Sequence, residues 1–348
     1  MAASAGSFRV ERGTRMSRIG LGAAIVILLG LAAAPWWAGR AELRLFVEVA
    51  YFLALAQMWN LLAGYAGLVS IGQQAYVGLG GYALFVLAGS LGVAPLLAIP
   101  LAGALATVVA VPTAFIVFRL RGAYFAIGTW VMAEVYRLVV AQFPAVGGGS
   151  GMSLPTFVVR SIADDRAMRE TLVYWAALAI AVGAIAITYG LLRSRHGLAL
   201  TAIRDSEAAA ESLGVNNLRT KVSVYLITAF GTGMVGALVF LQKLRISPDA
   251  AFSVNDWTAS VLFIVIIGGI GTIEGPIIGV LVLFLLRETL VDLGAWYMIL
   301  LGAVAVATML LAPKGIWGYV AERHDIQFFP LRRHLVAVDQ AAARGPDS

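Results

Sequence analysis

Four side chains able to hydrogen-bond stand together in Ser70-Ile71-Gly72-Gln73-Gln74-Ala75-Tyr76: Ser70, Gln73, Gln74 and Tyr76. Glycines precede them at 64 and 67 and follow at 78, 80 and 81. These groups are weak acids and bases. What they offer is hydrogen bonding to something polar. Two adjacent glutamines in apolar surroundings are costly unless hydrated or bonded to each other. Two accounts fit the stretch 64–82. In one, the small residues only let helix backbones approach closely. In the other, glycine breaks a helix and Ser70, Gln73, Gln74 and Tyr76 line a pathway.

Glu134 and Arg137 are three residues apart, so they share one face of a helix. At membrane depth such charges must pair or face water. Glu134 is therefore either half of a structural ion pair or a further candidate for the pathway. A catalytic constellation is missing from the sequence. It has no cysteine, which removes thiolate metal sites and thiol nucleophiles. Its histidines, His196, His324 and His334, fall in polar segments, and no metal-ligand spacing stands out. None of Lys221, Lys243 and Lys314 follows a glycine, so a phosphate-binding Walker loop is absent. The chain is expected to bind no cofactor and not to be an enzyme.

The elements that position these residues are apolar. The 348-residue chain is 60% hydrophobic and 13% charged, with a mean hydropathy of +0.88. Apolar runs of about 20 residues, the length that crosses a bilayer core, recur through it. This is an all-α polytopic membrane protein. Continuous apolar runs, without period-two alternation, exclude a β-barrel. The net charge of +6 carries no basic stripe interleaved with aromatics, so nucleic acid is not an expected partner.

Ten spans are predicted, at 19–36, 43–63, 76–92, 95–118, 123–142, 171–192, 220–241, 257–272, 276–291 and 295–312. The first has the look of a signal peptide, but Pro35 follows its small residues and disfavours cleavage. With the N-terminus inside, sixteen of the 25 lysines and arginines fall on the cytoplasmic side. Both termini are then cytoplasmic. Residues 1–18 form a basic N-terminus, 19–318 the membrane domain, 143–170 an outer loop, and 319–348 a tail expected to be partly disordered. Spans two to five and seven to ten are groups of similar length that enter from opposite sides, the arithmetic of an inverted repeat. Residue similarity between the groups is too weak to carry that reading alone.

One charged segment, the loop 193–219, interrupts the apolar pattern. From Leu198 to Leu213 it is rich in alanine and leucine with no internal glycine or proline, which predicts a helix. Ala199, Ile203, Ala210 and Leu213 share one face, and Arg204, Glu207 and Glu211 another. Gly214 is placed to end it in the left-handed conformation. Asp205 or Ser206 is placed to cap a second short helix and so split the segment. A solvated loop helix is the plain reading. A lipid-surface helix fits poorly, since the charge is mixed and the apolar face is mostly alanine. A small-residue face flanked by register-setting charges suits docking into a groove on a partner protein.

Gly197-Leu198-Ala199-Leu200-Thr201-Ala202-Ile203-Arg204-Asp205-Ser206-Glu207-Ala208-Ala209-Ala210-Glu211-Ser212-Leu213-Gly214 resembles the coupling loop of ABC-importer permeases. The likeness is to the branched-chain amino-acid (LIV-type, LivM-like) family and spreads over most of 50–318. It is carried also by Gly64–Gly72, by Arg121–Ile127 with Glu134, by Gly147–Met152, by Gly268–Pro276 and by Pro313–Ile316. The family often has His where this chain has Gln73 or Gln74. The resemblance implies an ABC-importer permease fold in a bacterial inner membrane. It implies two ATPase subunits that hold ATP and Mg, a second related permease subunit, and an external solute-binding protein. Arg204, Asp205, Glu207, Ala208, Ala209, Glu211 and Gly214 become the ATPase-coupling residues, and a branched-chain amino acid or related small polar solute the cargo. Urea, short amides and aromatic acids pass through similar permeases. An ion-coupled secondary transporter is the rival class; it wants ionisable groups deep in the spans, and the chain offers little beyond Glu134.

Overall fold

A computed structural model describes residues 8–11, 15–290, 296–324, 328–329 and 334–337. The side chains of Arg9, Arg12, Arg15 and Arg18, and residues Arg332, Arg333 and Arg344 of the tail, lie outside the described residues.

A helix stands at each of the ten expected places. They are α1 (Arg15–Ala32), α2 (Arg40–Asn60), α3 (Gln74–Phe85), α4 (Pro95–Val117), α5 (Ala123–Ala141) and α6 (Arg166–Arg193). Between α6 and the next long helix lie α7 (Arg195–Asp205) and α8 (Glu207–Ser212). There follow α9 (Asn217–Lys243), α10 (Ser260–Gly268), α11 (Glu274–Leu290), α12 (Trp296–Leu311) and α13 (Gly315–His324). Single π-helical turns extend α2 over Leu61–Tyr65 and α3 over Val86–Ser90, and lead into α10 over Val254–Ala259.

Among the described residues seven stretches are long and apolar enough to cross a membrane, including Arg40–Tyr65, Asn217–Lys243 and Pro248–Gly268. The first, third and ninth expected spans are shorter. The apolar described part of α1 is Gly22–Ala32, α11 has 17 residues, and α3 has 12 with a five-residue π turn. At 1.5 Å per residue α3 and its π turn reach about 25 Å, less than a bilayer core of about 30 Å. Its shortness has a cause: the residues before it are not helical.

Of the seven long stretches the most enclosed are those of α2 and α9, each 72% buried over its most apolar window, while α5 at 17% is a peripheral helix. Helix α9 packs on α3 and α4, and α2 on α6. The contact of α3 with α9 is backbone against backbone. A Cβ on Gly80 would overlap the Gly233 carbonyl, and one on Gly236 would overlap that of Val77. For these glycines the packing account of the small residues holds.

The molecule has two ends. One carries α7, α8 and the turn Gly269–Ile273. The other carries a two-residue antiparallel pairing of β2 (Met152–Ser153; β1 appears below) with β3 (Arg245–Ile246), in register Met152↔Ile246 and Ser153↔Arg245. Helix α6 begins at Arg166, five residues earlier than the predicted span, capped by Asp165, whose carboxylate accepts from Met168 N–H. Beyond α13 the described residues of the tail are 328–329 and 334–337. Phe328 stacks on Trp317, Phe329 packs edge-on against Tyr189, and the Phe329 N–H donates to Glu274 Oε1 at 3.0 Å. Beyond it β4 (His334–Ala337) pairs antiparallel with β1 (Phe8–Glu11), so the two termini meet on one side.

Candidate functional site

After the π turn at Leu61–Tyr65 the chain reverses and runs back beside α2 without forming a helix. Leu68 N–H donates to Leu62 O at 3.0 Å, Trp59 Nε1 to Ser70 O at 2.8 Å, and Gln73 Nε2 to Leu55 O at 2.9 Å. Irregular backbone at membrane depth survives only where protein or a cavity satisfies it, and here α2 does so. Helix α3 restarts at Gln74, so the broken helix that the glycines permitted is present. A second interruption enters from the other end. Past Lys243, Leu244 takes a left-handed conformation (φ 59°), and residues to Ser253 lead back to the π turn before α10. Along the way Phe252 stacks on Tyr82, with ring centroids 6.2 Å apart.

The first interruption opens onto a narrow cavity. Ser70, Gln73 and Tyr76 form one wall, Met58, Trp59 and Leu62 of α2 a second, and Tyr225, Thr228 and Thr232 of α9 the third. The free space suits about one water molecule. No charged side chain lines it. Gln73 is 7% exposed and its Nε2 also donates to Thr232 Oγ1 at 3.2 Å, but its Oε1 has no partner. A buried acceptor without a protein partner is able to take a hydrogen bond from a donor that enters the cavity. Tyr76 and Tyr225 close the cavity through a hydroxyl–hydroxyl bond of 2.6 Å, their rings edge-on at 84°.

Two sequence candidates are not brought to this wall. Gln74 is turned away by the helical register, and its Oε1 accepts from Thr258 Oγ1 at 2.5 Å, so the adjacent glutamines are bonded to different partners and not to each other. Glu134 lies on peripheral α5, held by Arg137 through bonds of 2.6 and 3.0 Å, while Arg137 Nη1 reaches Asp249 at 2.7 Å. That arrangement is an ion pair with a third member, away from the cavity. Sequence reasoning missed Tyr225, Thr228 and Thr232. The signal was there, since spacings of three and four put them on one face of an apolar span.

At the far end the charged loop folds as two helices. Ser194 caps α7 by accepting from His196 N–H, and Ser206 in extended backbone caps α8 by accepting from Ala209 N–H at 3.3 Å. Gly214 ends the segment at φ 83°, and Asn216 then caps α9. The break at Ser206 alters the expected apolar face. Leu200, Ile203 and Ala210 point inward at 0%, 3% and 0% exposure, whereas Leu213 swings out to 80%. Arg204, Asp205, Glu207, Ala208, Ala209, Glu211 and Gly214 are all exposed. Arg204 pairs with Asp205 at 3.6 Å and Glu207 with Lys221 at 2.5 Å, while Asn217 Nδ2 donates to Glu207 O at 2.8 Å. The result is a surface of charges and alanines that carries two outward leucines, Leu198 and Leu213. Among the described residues there is no group of three or more His, Cys, Asp or Glu placed to hold a metal ion.

No solved structure matches the chain. It is 27% identical over 344 residues to the high-affinity branched-chain amino acid transport system permease protein LivM of Escherichia coli, covering 92% of this chain and 78% of that one. The Salmonella typhimurium LivM protein is 27% identical over 315 residues, 84% of this chain and 74% of the relative. Residues 43–312, which include the broken helix, the cavity walls and the exposed α7–α8 surface, match one family, and the chain belongs to it: the permease component of branched-chain amino acid transport systems.

Proposed function

We propose that this chain is one permease subunit of an ATP-driven ABC importer in a bacterial inner membrane, carrying branched-chain amino acids inward. The observation that carries the proposal is the α7–α8 surface. It is ordered, exposed and charged, and it is anchored by Leu200 in the same apolar cluster as Leu62, a cavity residue. A partner that grips this surface differently in two states can shift the equilibrium of the whole chain. Two ATPase subunits, holding ATP and Mg, dock there in this reading. A second related permease completes the membrane part, and an external binding protein delivers the solute to the end that carries β2 and β3.

The cavity supports the choice of cargo. Its walls combine apolar Met58, Leu62 and Trp59 with neutral hydrogen-bonding groups, which suits a solute of no net charge with an apolar side chain. The unpaired Gln73 Oε1 would accept from the solute's ammonium group. Phe329, which follows α13, packs at the α7–α8 end against Tyr189 and Glu274; that end becomes the cytoplasm in this reading, in keeping with the sequence's excess of positive charge on that side.

The test is uptake of leucine into vesicles holding the complete transporter. The Arg204→Glu variant should remain inserted and lose ATP-driven uptake. Normal uptake by that variant, or ion-driven uptake without the ATPases, overturns the proposal.

A further inference from the structure

Helix α2 buries two side-chain amides that the cavity does not use. Gln57 and Asn60 are each 0% exposed and three residues apart, on one face of the helix. Both are bonded to one short turn. Gln57 Nε2 donates to Ile273 O at 2.7 Å, Asn60 Nδ2 donates to Thr272 O at 2.7 Å, and Asn60 Oδ1 accepts from Gly271 N–H at 2.8 Å. The turn is itself braced, since Thr272 Oγ1 donates to Gly269 O at 2.8 Å and accepts from Gly275 N–H at 3.0 Å. Side-chain amides that read backbone in both directions, donor and acceptor, hold a turn in register as well as in place.

What lies on either side of this clamp gives it a task. The neighbouring residues of the same helical turns, Met58, Trp59 and Leu62, form the α2 wall of the cavity. On its other side the turn meets α7: Arg204 Nη1 is 3.9 Å from where a Cβ on Gly271 would stand, and Leu200 shares an apolar cluster with Leu62 and Ile273. The turn and α2 also touch directly. A Cβ on Gly64 would stand 2.6 Å from Gly271 N, so only glycine admits this approach. Immediately after Asn60 the helix gives way to its π turn, an irregularity at which a helix can yield without unfolding.

We infer that Gln57 and Asn60 are positioning residues, which transmit displacement of the α7–α8 surface through the turn Gly269–Ile273 to the cavity wall. The inference rests on the assignment of that surface as the ATPase docking site. The path runs from Arg204 and Leu200 to the turn, from the turn to the two amides, and from them to Met58, Trp59 and Leu62. Helix α7 packs against the turn, and hydrogen bonds tie the turn to α2, so moving the turn moves the wall.

Two variants test it in the complete transporter, reconstituted in vesicles and supplied with leucine-loaded binding protein. Asn60→Leu removes two of the three bonds to the turn, and Gly64→Ala keeps both amide side chains in the sequence but wedges turn and helix apart, its Cβ falling onto Asn60 Oδ1 and 2.6 Å from Gly271 N. ATPase co-purification, ATP hydrolysis and leucine uptake are measured on the same preparations. Co-purification and hydrolysis are expected to persist while leucine moved per ATP falls about tenfold, a typical coupling factor. Hydrolysis and uptake falling in proportion, or neither changing, would make the clamp a static brace and overturn the inference. Loss of co-purification would overturn it too, because the amides would then shape the docking surface. If Asn60→Leu does not insert, the Gly64→Ala result decides. Failure of the unaltered chain to bind the ATPases would instead sink the proposed function beneath it.

Discussion

Gln74 and Thr258, 184 residues apart, are joined by a buried hydrogen bond of 2.5 Å between the starts of two interrupted helices. Gln74 begins α3, reached from one end of the molecule, and Thr258 lies in the turn before α10, reached from the other. The two irregular segments thus meet in the interior, each ending at the other's first helical turn. Removing one partner strands the other. Thr258→Val is expected to lower stability by about 1–3 kcal/mol, and Gln74→Leu with Thr258→Val together by less than the sum. Thermal unfolding in detergent, with all four members of the cycle, reads this. Additive losses would mean that the bond contributes nothing.

Gln73 differs from its neighbour, because it lines the cavity and its Oε1 has no protein partner. Gln73→Ala is expected to change the apparent affinity of uptake by about two- to tenfold, the worth of one hydrogen bond. ATPase binding should stay as it was. Unchanged uptake kinetics would assign the residue to packing.

Leu213 is 80% exposed on α7–α8 and, under the proposed function, is an anchor for the ATPase subunits. Leu213→Ala should weaken docking of the ATPase subunits about tenfold, the effect of truncating a central apolar contact. Titration of purified ATPase against the reconstituted permease measures it. Equal affinity would place the docking contact elsewhere on α7–α8.

Glu134→Gln should leave leucine uptake unchanged and cost only about 0–1 kcal/mol of stability, because the pair with Arg137 is at an exposed site. A large loss of uptake would return Glu134 to the pathway.

Gly80→Ala forces a methyl group into the Gly233 carbonyl, and the two backbones have no side chain to give way. A destabilisation of about 1–3 kcal/mol or more is expected, seen as lost folded protein in size-exclusion chromatography. An intact, active variant would show that α3 and α9 are less tightly packed than described.

Much of this architecture was legible because long apolar runs in lipid have few alternatives to the helix. The helix ends fall within a few residues of the predicted spans, and Ser206 and Gly214 act as their types suggest. What the sequence could not resolve was direction. Gln73 and Gln74 are adjacent and chemically equal, and only the restart of α3 at residue 74 sends one to the cavity and the other to Thr258. Leu213 followed helical spacing in the sequence, but the extended backbone at Ser206 breaks the phase and turns it outward. Gln57 and Asn60 were visible as amides in an apolar span, yet their partners lie more than 200 residues away on backbone atoms that carry no sequence signal.

The cavity with space for about one water molecule has a consequence for the cell that would house it. In this shape the cavity is too small for leucine, and no carboxylate, lysine or histidine along which protons could hop lines it. A permease resting so would dissipate neither ion gradients nor the voltage across the bilayer, however many copies were present, and the cost of holding it in reserve would be only that of its synthesis.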